Sequence, residues 1–246
     1  MLCMNAPLIN IHGPVDWQAI DTVLLDMDGT LLDLQFDNWF WQVHIPTRYG
    51  LLHGLSFEAA VQQLKPGFLA VQGTLDWYCI DYWSRQLGLD ISSLKHEVRE
   101  RVAFLPGATA FLARLKELGK RRILVTNAHP QTLAIKDGHV SLSPWLDEVH
   151  SSHQYGLPKE AADFWPRLRR QVPFDPQRTL FVDDSLPVLL AAQGYGIRWL
   201  RAVSRPDLSL PVRDTGEIPG VESVAHLFDA TGAPLADSLP SEQLSP

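Results

Sequence analysis

Apolar residues recur along this chain in two rhythms. Val23-Leu24-Leu25 is an unbroken apolar run that halts at Asp26, the pattern of a strand buried on both faces of a parallel sheet. Arg122 to Thr126, Glu148 to His153, Thr179 to Asp183 and Ile197 to Val203 supply four further strand candidates. Helical spacing fills the intervals. Ala108, Phe111, Leu112, Leu115 and Leu118 follow the i, i+3, i+4, i+7 rule, with Pro106-Gly107 before them and Gly119 placed to stop them. Another helix starts near Pro130, one opens at Lys159 and ends near Gln171, and one is capped by Ser185 and stops near Gly194-Tyr195-Gly196. Strand–helix alternation of this kind predicts an α/β fold with a doubly wound parallel sheet.

The rhythm changes between the first strand and Phe104. Phe36, Trp39, Phe40 and Val43 recur at helical steps, Ser56 can cap a helix beginning Phe57-Glu58, Leu75 to Leu87 is a helical candidate stopped by Gly88, and Ile91 to Val102 is another. With no strand signal, this stretch predicts an α-helical insertion over 33–104, dividing a core formed by 1–32 and 105–205. Its aromatic residues at helical spacing mainly face the insertion's own interior. Residues 206–246 are rich in Pro, Ser and Asp with weak periodicity and are expected to form a C-terminal tail, partly disordered or wrapping the body. No internal repeat is visible.

Composition narrows the functional classes. The 246 residues, 46% hydrophobic, suit one large domain or a domain with an insertion. A net charge of −7 without a basic stripe argues against a nucleic-acid polymer as partner. The two cysteines, Cys3 and Cys79, make no disulfide framework. Met1 to Asn10 lacks the pattern of a secretory signal and no apolar run reaches membrane-spanning length, so the expected location is the cytoplasm, with no membrane partner. The histidines, His129 among them, show no metal-ligand spacing and read as structural or solvated.

Polar groups gather where the strands end. Asp26 and Asp28 close the first strand, followed by Gly29-Thr30; Thr126-Asn127 closes the second; Lys159 follows the third; Asp183-Asp184 closes the fourth. In a parallel sheet these ends share one edge, the edge at which open α/β sheets bind ligands. Neighbouring carboxylates repel and are costly to desolvate, and a divalent cation removes the conflict. Oxygen donors of this kind suit Mg²⁺. The inventory matches phosphoryl transfer, which calls for an attacking carboxylate, a second carboxyl to protonate the leaving oxygen, a hydroxyl and an ammonium on the phosphate oxygens, and a metal.

Asp26-Met27-Asp28-Gly29-Thr30, Thr126-Asn127, Lys159 and Asp183-Asp184 resemble, in order and spacing, the four motifs of the haloacid dehalogenase superfamily. Within it the chain is similar to the bacterial GMP/IMP 5′-nucleotidases along Thr22–Trp41, Thr74–Asp90, Arg122–Pro130 and Arg178–Ser185. The resemblance covers roughly residues 10–205. It implies a Rossmann-like core with a mobile helical cap. It also implies Asp26 as nucleophile through an aspartyl-phosphate and Asp28 as acid and then base. Thr126, Asn127 and Lys159 would bind the phosphoryl group. Mg²⁺ would be held by Asp26, the main-chain oxygen of Asp28, Asp184 directly and Asp183 through water. In many relatives a proline follows the motif lysine; here Pro158 precedes it. The expected substrate is a small phosphate monoester, a purine nucleoside monophosphate, with Trp39, Trp77, Tyr78 and Tyr82 as aromatic candidates for the base. The alternatives are a phosphatase or mutase for a sugar phosphate and, outside enzymes, a metal-binding regulatory module. Halide displacement is disfavoured because it needs no leaving-group acid, and Asp28 supplies one. The chain is compatible with a monomer or a homodimer.

Overall fold

The computed structural model describes residues 15–228. Met1 to Asn10, Cys3 and the last part of the expected tail lie outside them. The centre is a six-stranded sheet in the order β3-β2-β1-β4-β5-β6. The strands are β1 (Thr22–Leu25), β2 (Arg121–Thr126), β3 (Glu148–Ser151), β4 (Thr179–Asp183), β5 (Trp199–Val203) and β6 (Gly220–Val221), and every pairing is parallel. The chain builds outward from β1 to β3, then crosses back to lay β4 on the other side of β1. The strand order therefore reverses beside β1, and the crevice outside the strand ends opens there.

Side chains alternate across the sheet. Val23, Leu25, Leu124, Leu180 and Val182 pack on one face against Phe111, Leu112 and Leu115 of the helix Ala108–Glu117. Leu24, Ile123, Val125 and Phe181 pack on the other, against Trp165 and Leu168 of Phe164–Gln171 and Leu189 and Ala192 of Leu186–Tyr195. Both faces are dry, which is why the strands read as apolar runs rather than alternating ones. Leu118, the last residue of the predicted stripe, is exposed because the helix has already ended.

Residues 35–101 carry helices and no strand. They enclose a separate apolar cluster that includes Phe40, Ile45, Leu64, Ile80, Trp83 and Leu94. Ser56 caps the helix Phe57–Val71 by accepting from the Ala59 amide. The single helix expected over 75–87 is instead two, Leu75–Tyr78 and Ile80–Leu87. Cys79 breaks it by adopting an extended conformation (φ −88°, ψ 108°). The Trp83 indole N–H donates to the Trp77 carbonyl, which the break removes from the helical ladder.

Two further expectations are corrected. Lys159 does not open a helix; the helix starts at Phe164. The Lys159 amide donates to Asn127 Oδ1 and its carbonyl accepts from the Trp165 indole, so tertiary partners hold the groups a helix would have used. Ser185 occupies the N-cap position of the next helix without a side-chain cap bond. Over its described part, the segment after Ser204 lies against the body of the fold. Leu34 donates to the Pro206 carbonyl, Asn38 donates to Asp207, and Gly220–Val221 adds β6 to the sheet. Its pairing is supplied by β5 and the loop after β1, so no periodicity of its own was needed.

Candidate active site

Register brings the acids together. Leu25 pairs with Val182, and the Asp26 amide donates to the Val182 carbonyl at 3.0 Å, so Asp26 and Asp183 leave adjacent strands side by side. Carboxylate oxygens of Asp26, Asp183 and Asp184 all lie within 4.8 Å of one another. Lys159 reaches into this group from the far side of β2. Its ammonium donates to Asp26 Oδ1 at 2.5 Å, Asp183 Oδ2 at 2.7 Å and the Val125 carbonyl at 3.0 Å. These three bonds use all three of its N–H groups.

The carboxyls are out of water, and that dominates their protonation. Burial pushes Asp26 up to about 7, with Lys159 opposing and Asp183 adding repulsion. Burial pushes Asp183 to about 6 and Asp184 to about 7. Lys159 is buried too, yet the Asp183 and Asp26 charges outweigh its desolvation and raise its pKa. The Lys159 ammonium and the Arg213 guanidinium on Asp184 together carry two charges against three clustered acids, so the donor set has the composition and the unmet charge that suit a hard divalent cation. Asp28 is not part of this oxygen cluster. Its carboxyl turns to Lys136 (2.6 Å), and burial raises it to about 6 against the Lys136 charge.

Gly29 makes the turn possible. Its φ is +82°, and a Cβ there would stand 2.8 Å from both Asp184 Cγ and Pro206 Cβ. Thr126 is buried beside the acids, and its hydroxyl accepts from the Ala128 amide at 3.0 Å, which leaves its own proton to donate. Asn127 holds the turn rather than standing free: Oδ1 accepts from the Lys159 amide and Nδ2 donates to Glu160.

A cavity of about 1080 Å³ opens above these groups. Asp26, Asp28, Thr126, Asn127, Lys159, Asp183 and Asp184 line its floor, and Trp41, Phe68, Trp77, Tyr78 and Trp83 of the helical residues line its wall. Of the aromatic candidates, Trp77 and Tyr78 line the cavity, and Trp39 and Tyr82 lie outside its lining. Trp39 lies over the Arg101 guanidinium (3.9 Å) and stacks on His44, and Tyr82 packs edge-on against Trp83. Tyr78 donates to Glu160 at 2.6 Å, tying the helical residues to the Lys159 turn.

Sequence spacing gave no sign of four other charged groups. Lys136 binds both Asp28 and Asp37, and Lys95 binds Asp37 at 2.9 Å. Arg213, from the stretch expected to be tail, binds Asp184 Oδ2 at 2.9 Å. Lysines on helices ordinarily face water; what marks Lys95 and Lys136 is burial, at 2% and 1% exposure, which spacing does not reveal.

A family model, haloacid dehalogenase-like hydrolase, matches residues 20–196. Over 218 residues, covering 89% of this chain and 98% of the relative, the chain is 42% identical to the GMP/IMP nucleotidase YrfG of Escherichia coli (strain K12). The GMP/IMP nucleotidase YrfG of Shigella flexneri matches over the same span with the same identity. Among solved structures, a HAD phosphatase from Thermococcus onnurineus superposes with a TM-score of 0.70 at 19% identity, covering 85% of this chain and 96% of that one. CbbY from Rhodobacter sphaeroides, in complex with phosphate, superposes at 0.61 and 17% identity, covering 87% and 98%. No helix among the described residues is long and apolar enough to cross a membrane.

Proposed function

The chain belongs to the haloacid dehalogenase-like hydrolases, and from that premise we propose that it is a Mg²⁺-dependent 5′-nucleotidase hydrolysing purine nucleoside monophosphates through an aspartyl-phosphate. The observation that carries the chemistry is the meeting of Asp26, Asp183 and Asp184 with Lys159 at the floor of an aromatic-walled cavity. The identity to the GMP/IMP nucleotidase of Escherichia coli over nearly the whole chain supports the purine monophosphate. The cavity's volume and its tryptophans suit a base, sugar and phosphate together.

The residues divide the work by their surroundings. An Asp26 oxygen attacks phosphorus as the bond from phosphorus to the ribose oxygen breaks. Asp28, whose raised pKa lets it carry a proton near neutrality, gives that proton to the leaving oxygen. Lys136 holds Asp28 through Oδ1, and Asp28 lines the cavity. Water then attacks the phosphoryl group on Asp26. Asp28 takes the water's proton, phosphate departs and the Asp26 carboxylate is restored. The Thr126 hydroxyl and Lys159 hold the phosphoryl oxygens, Lys159 exchanging one of its present carboxylate bonds to do so. Asp26, Asp184 and the Asp28 main-chain oxygen would hold Mg²⁺ with Asp183 behind them. When bound, the ion supplies charge neutralisation for the acids and the incoming dianion.

The test is a panel of GMP, IMP, AMP, UMP and sugar phosphates assayed with Mg²⁺. GMP and IMP are expected to give the highest kcat/KM. A clear preference for a sugar phosphate would overturn the nucleotidase reading and leave a phosphatase.

A further inference from the structure

The fold gathers a second set of metal-competent donors apart from the acids. Cys79 comes from the break between two helices, His129 from the N-cap of the helix Pro130–Val140, and His153 from the turn after β3. Spacing separates these residues widely and reads the histidines as structural or solvated. The Cys79 sulfur and one ring nitrogen from each histidine all lie within 4.8 Å of one another. The two rings are nearly perpendicular, 81° apart with centroids separated by 4.9 Å.

We propose that Cys79, His129 and His153 bind a Zn²⁺-class cation that ties the helical residues to the sheet. Among the described residues, His153 Nε2 is buried without a hydrogen-bond partner, so its capacity to bind is unused. Asp81 Oδ2 stands 3.6 Å from His129 Nε2, within reach of a fourth position or of a second-shell role. Among the described residues, Cys79 Sγ accepts from the Tyr82 amide at 3.4 Å and so caps the helix Ile80–Leu87.

Donor chemistry separates this set from the acid cluster. One thiolate and two imidazoles form a soft-to-borderline set that favours Zn²⁺ and gives Mg²⁺ nothing it prefers. Tetrahedral coordination needs donors about 3.5 Å apart, so side-chain adjustments of about 1 Å close the site. Binding breaks the Cys79 S–H bond and releases that proton to solvent, and His129 gives up the bond its Nδ1 accepts from the Gln131 amide, as one sulfur–metal and two nitrogen–metal bonds form, with no change of oxidation state. The two halves of the clamp belong to different parts of the fold. Cys79 directly follows Trp77 and Tyr78 of the cavity wall, while His129 and His153 follow sheet strands.

The experiment loads metal-free full-length protein with Zn²⁺, and separately with Co²⁺ as a spectroscopic substitute, in a large excess of Mg²⁺. The expected result is one Zn²⁺ retained per chain and a sulfur-to-cobalt charge-transfer band. Cys79→Ser should abolish the band, and His153→Gln should weaken Zn²⁺ binding at least about tenfold. Both variants should keep Mg²⁺-dependent turnover, which shows that they fold. Failure to retain Zn²⁺ beside Mg²⁺, or a band and stoichiometry that survive Cys79→Ser, would overturn the proposal and leave the nucleotidase reading untouched.

Discussion

The Lys136 ammonium lies 2.6 Å from Asp28 Oδ1 and also binds Asp37, which binds Lys95 in turn. Signs alternate along this buried row, which runs from the loop after β1 into the helical residues. Removing one partner of a buried ion pair costs about 3–5 kcal/mol, because the other charge is left without compensation.

Lys136→Met should therefore destabilise the protein and alter Asp28 in a defined direction. Lys136 opposes the effect of burial on Asp28, so its loss raises a pKa already near 6. The acid form then persists to higher pH. The limb of the kcat profile that reports Asp28 should move upward by at least about one pH unit, with kcat reduced about 10- to 100-fold. Lys136→Arg should restore the position of the limb. A profile identical to wild type in Lys136→Met would remove Lys136 from the positioning of Asp28.

Asp26→Asn keeps the shape of the side chain and removes the nucleophile. Turnover should fall to the detection limit, and acid-quenched protein should carry no hydroxylamine-sensitive phosphate, whereas wild type should. Covalent phosphate on the variant would move the nucleophile elsewhere.

Without a divalent ion, stability should fall as pH rises. Asp26, Asp183 and Asp184 have folded pKa values of about 7, 6 and 7, above their ordinary value of 3.8. The folded state therefore binds more protons than the unfolded state between these limits, and unfolding becomes easier as pH climbs through the window. The raised Lys159 pKa adds a contribution that is constant below its unfolded value, so it leaves this slope unchanged. In chelator, Tm should be highest near pH 5 and lower by several degrees at pH 8. Saturating Mg²⁺ should raise Tm at pH 8 and flatten the curve, and chelator should stop hydrolysis. An identical Tm at pH 8 with and without Mg²⁺ would contradict the acids as its site.

Tyr78→Phe removes the hydroxyl that binds Glu160 at 2.6 Å while retaining the ring. A hydrogen bond to a charged group is worth about 1.5–3 kcal/mol, so kcat/KM should fall at least about tenfold if the contact holds the cavity closed over substrate. Steady-state kinetics on GMP give the readout; unchanged constants would reduce the contact to packing.

The first aspartate pair, the tandem acids and the strand runs were legible because they are local. A fully buried parallel strand has no polar face, so its apolar run and the acids at its end stand out in one dimension. The strand end that carries Thr126 was visible for the same reason. The ranges of the helices were less so. Lys159 reads as a helix start because sequence shows neither the Asn127 Oδ1 nor the Trp165 indole that occupy its main-chain groups.

What only the tertiary structure decided is which charges face one another. Lys95 and Lys136 look like surface lysines until packing removes their water, after which each must find a carboxylate. Arg213 meets Asp184 because the chain after β5 returns across the strand ends. Cys79, His129 and His153 share no spacing at all and meet through the docking of helices on the sheet. Strand identity and end chemistry follow from interactions within a few residues, whereas ion pairing and ligand convergence depend on through-space distances that the order of residues does not encode directly.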